Sequence, residues 1–231
     1  MLDFSRFKVL TFDCYGTLID WETGILNAVR SVITGRGIEV DDRGILSTYA
    51  ELEAKHEEGN YLTYAMVLRL VMTEMSLRFG FDATPAELDC LSRSLRDWEP
   101  FPDTVAALRR LAGRYKLGVI SNVDDRLFAG TARRLGVAFD WVVTAEQARA
   151  YKPAHAVFER AFENIGCPRG EILHVAQSIY HDVIPAKTLG LATVWVNRRA
   201  GKPGSGATPA ASKKADVEVV NLESLAGLAG V

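Results

Sequence analysis

The sequence predicts an α/β fold, a doubly wound parallel sheet with a helical cap subdomain inserted after its first strand. Three observations carry this reading. Val9-Leu10-Thr11-Phe12 is a short apolar run of the kind covered on both faces, and it ends at once in Asp13 and a turn at Gly16. From Trp98 onward, helical and strand patterns alternate, as a parallel sheet with helices on both faces requires. Between Trp21 and Asp97, amphipathic helical stretches follow one another with no convincing strand.

In chain order, the inserted helices are expected at Glu22 to Thr34, Asp41 to His56, Tyr61 to Phe79 and Thr84 to Arg96. Turn signals at Gly35-Arg36-Gly37, Gly59-Asn60 and Gly80 separate them. The alternating half gives helices at Asp103 to Arg114, Asp124 to Leu135, Ala154 to Ile165 and Asp182 to Leu189. Its strands fall at Lys116 to Ile120, Asp140 to Val143, Ile172 to Ala176 and Ala192 to Val196. A weak strand at Val217 to Val220 precedes a last helix with Leu222, Leu225 and Leu228 on one face. The expected organisation is therefore a Rossmann-like core of residues 1–20 and 98–231 with a cap of residues 21–97. Gly201 to Ala211, rich in Gly, Pro, Ser and Ala, reads as a flexible surface loop.

With 231 residues and 48% hydrophobic side chains, the chain can bury a sizeable core. A net charge of −2 gives no field that draws it to nucleic acid or an anionic membrane. No uncharged apolar run reaches the ~20 residues of a membrane span. The N-terminus lacks the charged-then-apolar pattern of a signal peptide. Cys14, Cys90 and Cys167 are odd in number and far apart, which suits a reducing, cytoplasmic setting. Tyr61, Tyr64, Leu68 and Met72 form a stripe at helical spacing; such stripes are most often core, with a homodimer face as the alternative.

The ends of parallel strands are where open sheets bind ligands, so Asp13 stands where chemistry is expected. Three more segments join it in order: Val119-Ile120-Ser121-Asn122, Tyr151-Lys152-Pro153 and Val175-Ala176-Gln177-Ser178-Ile179-Tyr180-His181-Asp182. Ser and Asn after a strand can donate to an anion, though both are also common helix caps. With Asp13-Cys14-Tyr15-Gly16-Thr17, these segments resemble the haloacid dehalogenase superfamily over nearly the whole chain. The single-acid pattern D-x-Y-G-T is similar to the L-2-haloacid dehalogenase (type II) branch. Phosphatases of the superfamily place a second acid where Tyr15 stands and another where Gln177 stands, and both are missing here.

The resemblance implies a hydrolase acting on carbon–halide bonds, converting short 2-haloacids to 2-hydroxyacids through an aspartyl ester on Asp13. Lys152 and Asp182 are then expected to orient the nucleophile and the hydrolytic water, and Thr17 and Ser121 to hold the substrate carboxylate. Tyr15, Asn122, Gln177 and Ser178 are the expected substrate-binding residues. No metal and no cofactor is expected, because halide leaves as a stable anion and needs neither magnesium nor a proton. The branch uses a cap arginine beside the halide, and none of Arg30, Arg36, Arg43 and Arg69 aligns to it clearly; His181 is the alternative donor, although a His beside a helix start is more often structural. The alternatives are a magnesium-dependent phosphatase of small phosphoesters and a catalytically silent relative that binds a small anion. Cys14, adjacent to Asp13 on the strand end, points away from it and is assigned to the core.

Overall fold

The computed structural model describes residues 2–231. Its strands are β1 (Val9–Phe12), β2 (Lys116–Ser121), β3 (Trp141–Thr144), β4 (Ile172–Ala176), β5 (Ala192–Val196) and β6 (Val217–Val219). They form one sheet in the order β3-β2-β1-β4-β5-β6, parallel throughout. β1 therefore lies in the middle, with Phe12 level with Val119 of β2 on one side and Val175 of β4 on the other. This register brings the residues after β1, β2 and β4 to one edge.

All four β1 residues are buried. Leu10 and Phe12 pack into the larger apolar cluster, and Val9 into the cluster across the sheet with Val157, Phe158 and Ile172. Thr11, polar in this apolar surround, is satisfied by His174 Nδ1 at 2.9 Å from its hydroxyl.

Between β1 and β2 come α1 (Trp21–Ile33), α2 (Asp42–Glu57), α3 (Tyr64–Arg78), α4 (Pro85–Leu88), α5 (Cys90–Ser94) and α6 (Thr104–Ala112). Side chains chosen for the task start them: Asp20 accepts from Thr23 N, Asp41 from Gly44 N, and Thr84 with Glu87 forms a capping box. The chain leaves and rejoins the sheet side by side, since Asp20 N donates to Glu99 O at 2.8 Å and Phe101 N to Leu18 O at 3.1 Å. After β2 follow α7 (Asp125–Leu135), α8 (Ala145–Ala148), α9 (His155–Ile165), α10 (Ile184–Thr188) and α11 (Leu222–Leu228).

Several expectations need correction. The helix predicted over Thr84 to Arg96 is interrupted at Asp89, which closes α4 and opens α5. The helix predicted from Asp182 starts earlier, as a π-helical turn over Ile179–Val183, and α8 was not anticipated at all. The segment 201–211 is not simply a surface loop: Ala207 and Thr208 are buried, and Ala207 N donates to Glu22 Oε1 at 3.2 Å. Tyr64, Leu68 and Met72 are buried inside the protomer, as the core reading of that stripe expects, and Tyr61 is half-buried. Among the described residues, no helix is long and apolar enough to cross a membrane.

A core carboxylate fastens α3. Asp124, just before α7, accepts from Tyr64 N at 2.7 Å and from Ala65 N at 2.9 Å, two amides that a helix start leaves unpaired. Asp124→Ala should lower unfolding free energy by about 1–3 kcal/mol, the usual cost of stranding buried donors. Asp124→Asn, which keeps one acceptor, should cost less, and denaturant midpoints at constant slope check both.

Candidate active site

Gly16 turns the chain sharply after β1 with φ +91°, a conformation that disfavours a side chain, and an added Cβ would lie 2.8 Å from Trp21 Nε1. This turn returns Thr17 to Asp13. The Thr17 hydroxyl donates to Asp13 Oδ2 at 2.5 Å and accepts from Gln177 N at 2.8 Å. Its one hydroxyl hydrogen is thus given to Asp13 in this arrangement.

Lys152, 1% exposed, reaches the strand ends from the loop before α9. Its Nζ donates to Asp13 Oδ1 at 2.8 Å, Asp182 Oδ1 at 2.7 Å and Ile120 O at 3.0 Å. All three ammonium hydrogens are used. Asp182, in the π-helical turn, also lies 3.0 Å from His174 Nε2 through Oδ1, while its Oδ2 is buried with no partner. Burial raises the Asp182 carboxyl, but Lys152 and the His174 contact outweigh it, and the net direction is down. Asp13 moves the other way: burial is the largest influence, the Asp182 charge adds to it, and Lys152 opposes both without prevailing. One ammonium shared by two carboxylates favours the ionised form of one over the other.

Asp13, Tyr15, Ser121, Asn122, Lys152, Ser178 and Asp182 line one cavity, together with Trp21, Glu53, Glu57, Tyr64, His181 and Thr208. Ser121 Oγ and His181 Nε2 are buried there without hydrogen-bond partners. Three of the residues expected to bind substrate have partners within the protein. The Tyr15 hydroxyl is paired with Thr131 Oγ1 at 2.8 Å, so Tyr15 offers the cavity its ring and keeps its polar end elsewhere. Asn122 is fully engaged: Nδ2 donates to the Glu57 carboxyl at 3.1 and 3.2 Å and to Lys152 O at 3.0 Å, while Oδ1 accepts from Lys152 N at 2.7 Å. Gln177 lies outside the cavity and lines neighbouring clefts, its backbone serving Thr17 and the Trp195 indole.

Ser178 caps the π-helical turn by accepting from His181 N at 2.9 Å, and its hydroxyl lies 3.2 Å from His181 Nδ1. Burial pushes His181 down to about 4, so the ring is neutral near pH 7. None of the four arginines considered for the halide faces the cavity. Arg30 pairs with Asp42, Arg36 with Glu87 and Arg69 with Asp89, and Arg43 lines a separate cleft. What α2 brings instead is Glu53 and Glu57. Their sequence signal is the spacing Tyr49, Glu53, Glu57 on one helix face, with Tyr49 and Glu53 buried there. His174 was also missed, being indistinguishable in sequence from a core residue of β4.

Where a second acid would help hold a divalent cation stands Tyr15. Among the described residues, no three His, Cys, Asp or Glu side chains are grouped to bind a metal ion.

Residues 7–190 match the profile of the haloacid dehalogenase-like hydrolases. Haloacid dehalogenase-like hydrolase domain-containing protein 3 of Danio rerio is 34% identical over 128 residues, 51% of this chain and 52% of that protein, so the chain spans about half the length of that relative. The (S)-2-haloacid dehalogenase H-109 of Pseudomonas putida is 28% identical over 216 residues, 87% of this chain and 90% of that one. The structure of L-2-haloacid dehalogenase from Xanthobacter autotrophicus with chloropropionic acid covalently bound superimposes with a TM-score of 0.80 at 20% identity, covering 96% of this chain and 98% of that one. The buried Asp13–Lys152–Asp182 cluster at the strand ends thus sits in a fold shared with such enzymes, and the chain belongs to the haloacid dehalogenase-like hydrolases.

Proposed function

We propose that the protein hydrolyses short 2-haloacids to 2-hydroxyacids, with residues 21–97 acting as a cap over the site and Asp13 as the nucleophile. The observation that carries this reading is a carboxylate held at both oxygens, by Thr17 and Lys152, beside a Tyr15 whose hydroxyl is turned away. No acid of the first motif is available to protonate a leaving alcohol, and a halide does not require one. The likeness to the (S)-2-haloacid dehalogenase of Pseudomonas putida supports the same reading over most of the chain.

In the first step, Asp13 attacks the halogen-bearing carbon from the face opposite the halogen. The C–O bond forms as the C–halogen bond breaks, halide departs with the electron pair, and the carbon inverts. Ser121 Oγ, buried and unpartnered in the cavity, is the donor for the substrate carboxylate. Water then adds to the ester carbonyl on Asp13. Asp182 Oδ2, free of any donor, accepts a hydrogen of that water, and the Lys152 ammonium offsets charge on the carbonyl oxygen. As the intermediate collapses, the departing hydroxyacid oxygen takes the proton drawn from water through Asp182, and the regenerated Asp13 carboxyl gives the remaining proton to solvent. The product's new oxygen comes from the aspartate, and the water oxygen stays in the protein.

Asp13→Asn should reduce chloride release from 2-chloropropionate by at least ~10³-fold, because the attacking oxygen is lost. In a single turnover in ¹⁸O-water, mass spectrometry should find the label in the Asp13 peptide and not in lactate; label in lactate overturns the ester. The pH profile gives a separate check. Asp13 must be ionised to attack, and its carboxyl lies above the ordinary aspartate range. Activity, kcat/KM, should therefore fall as pH falls through a value above that range. Asp182→Asn, by removing a like charge, should move the residual acid limb to lower pH.

A further inference from the structure

The cavity is lined by four carboxyl groups, Asp13, Glu53, Glu57 and Asp182, and by one cation, Lys152. No arginine lines it, and its histidine is neutral. Lys152 is wholly committed to Asp13, Asp182 and Ile120 O. Glu53 and Glu57 are therefore left without a positive partner. Hydrogen bonds hold them in place: Tyr49 and Tyr64 hydroxyls donate to Glu53 Oε1 at 2.8 and 2.5 Å, and Asn122 Nδ2 donates to Glu57. Glu53 Oε2 receives no donor among the described residues, and the unpartnered His181 Nε2 lies 3.7 Å from Glu57 Oε2. Buried carboxyls of this kind either keep their protons or await a cation. Burial raises both, Glu53 to about 7 and Glu57 well above the usual range, which is the behaviour of a pocket short of positive charge.

We propose that Glu53 and Glu57 form a cation subsite of the substrate pocket, and that the haloacid this protein acts on carries a protonated amine at the end remote from its reacting carbon. The two ends of such a molecule meet different walls. Its carboxylate takes the hydroxyl of Ser121 at the end of β2, and its ammonium takes the two glutamates of α2. A primary ammonium has three hydrogens for the Glu53 and Glu57 oxygens, and on binding it supplies the charge that Lys152 cannot. A simple 2-haloacid brings only more negative charge into the same cavity. The assignment of a haloacid rests on the displacement reading above; the cation subsite is independent of it.

Two paired measurements separate the two claims. Calorimetric titration of the intact protein with 4-aminobutanoate and with pentanoate compares ammonium with methyl, with no carbon–halogen bond in either ligand. Preference for 4-aminobutanoate should be roughly tenfold or more, the scale of one charge-assisted hydrogen-bonded contact. It should fall towards unity in Glu53→Gln/Glu57→Gln, which keeps shape and neutral hydrogen bonding. Chloride release from 4-amino-2-chlorobutanoate should exceed that from 2-chloropentanoate in kcat/KM by a similar factor. Absence of an ammonium preference in the native protein, including failure of both ligands to bind, overturns the subsite, as does a preference that survives the double substitution. A glutamate-dependent preference for 4-aminobutanoate with no chloride released from either chloroacid supports the subsite and overturns the displacement reading. Should the double variant not fold, the native preference and the single variants still decide.

Discussion

One ammonium between two carboxylates organises this protein. Lys152 is inside the molecule, and an unpaired lysine there would lose its charge or unfold its surroundings. It is stable because Asp13, Asp182 and the end of β2 each present an oxygen to it. The parallel register of β2, β1 and β4 sets those three oxygens at one edge, and the loop before α9 brings the nitrogen to them. The sheet order is thus a condition for the ion pairs, and the ion pairs define what the site can do. Removing one partner leaves an uncompensated buried charge, a cost on the order of 3–5 kcal/mol, so structure and chemistry here are one constraint.

Much of this was legible in the sequence because it is local. A strand that is apolar on both faces, followed directly by Asp13 and Gly16, encodes its own position, and so do Ser121 at the end of β2 and Asp182 after β4. Most of the alternating helices and strands beyond Trp98 followed from their period, though not α8. Less legible was anything decided by partners far away in the chain. Thr17 and Asn122 have the right residue types for gripping a ligand, but their hydrogen bonds are taken by Asp13, Gln177, Glu57 and Lys152, which only the folded arrangement reveals. The break at Asp89 and the π-helical turn over Ile179–Val183 likewise depend on tertiary packing that weak local preferences do not specify.

The helices between β1 and β2 contribute side chains to the cavity. α2 places Glu53 and Glu57 in the cavity wall, and Asp124, two residues beyond Asn122, anchors the first turn of α3. Asn122 joins the two halves chemically, with one edge of its amide on Glu57 and the other on the Lys152 backbone. The position of the insertion and the position of Lys152 are therefore coupled through a single side chain. The acidic wall that results departs from an arginine-lined halide pocket.

The saturation of Lys152 has an evolutionary corollary. Three oxygens converging on one nitrogen match the pyramidal spread of an ammonium, whereas a guanidinium is flat, wider, and aims its five hydrogens outward in a plane. Arginine preserves the charge but not the point of convergence, so the exchange that drift makes most readily between basic residues is closed at this position. Divergence among descendants of this chain can rewrite the walls of the pocket far more freely than the atom at its base.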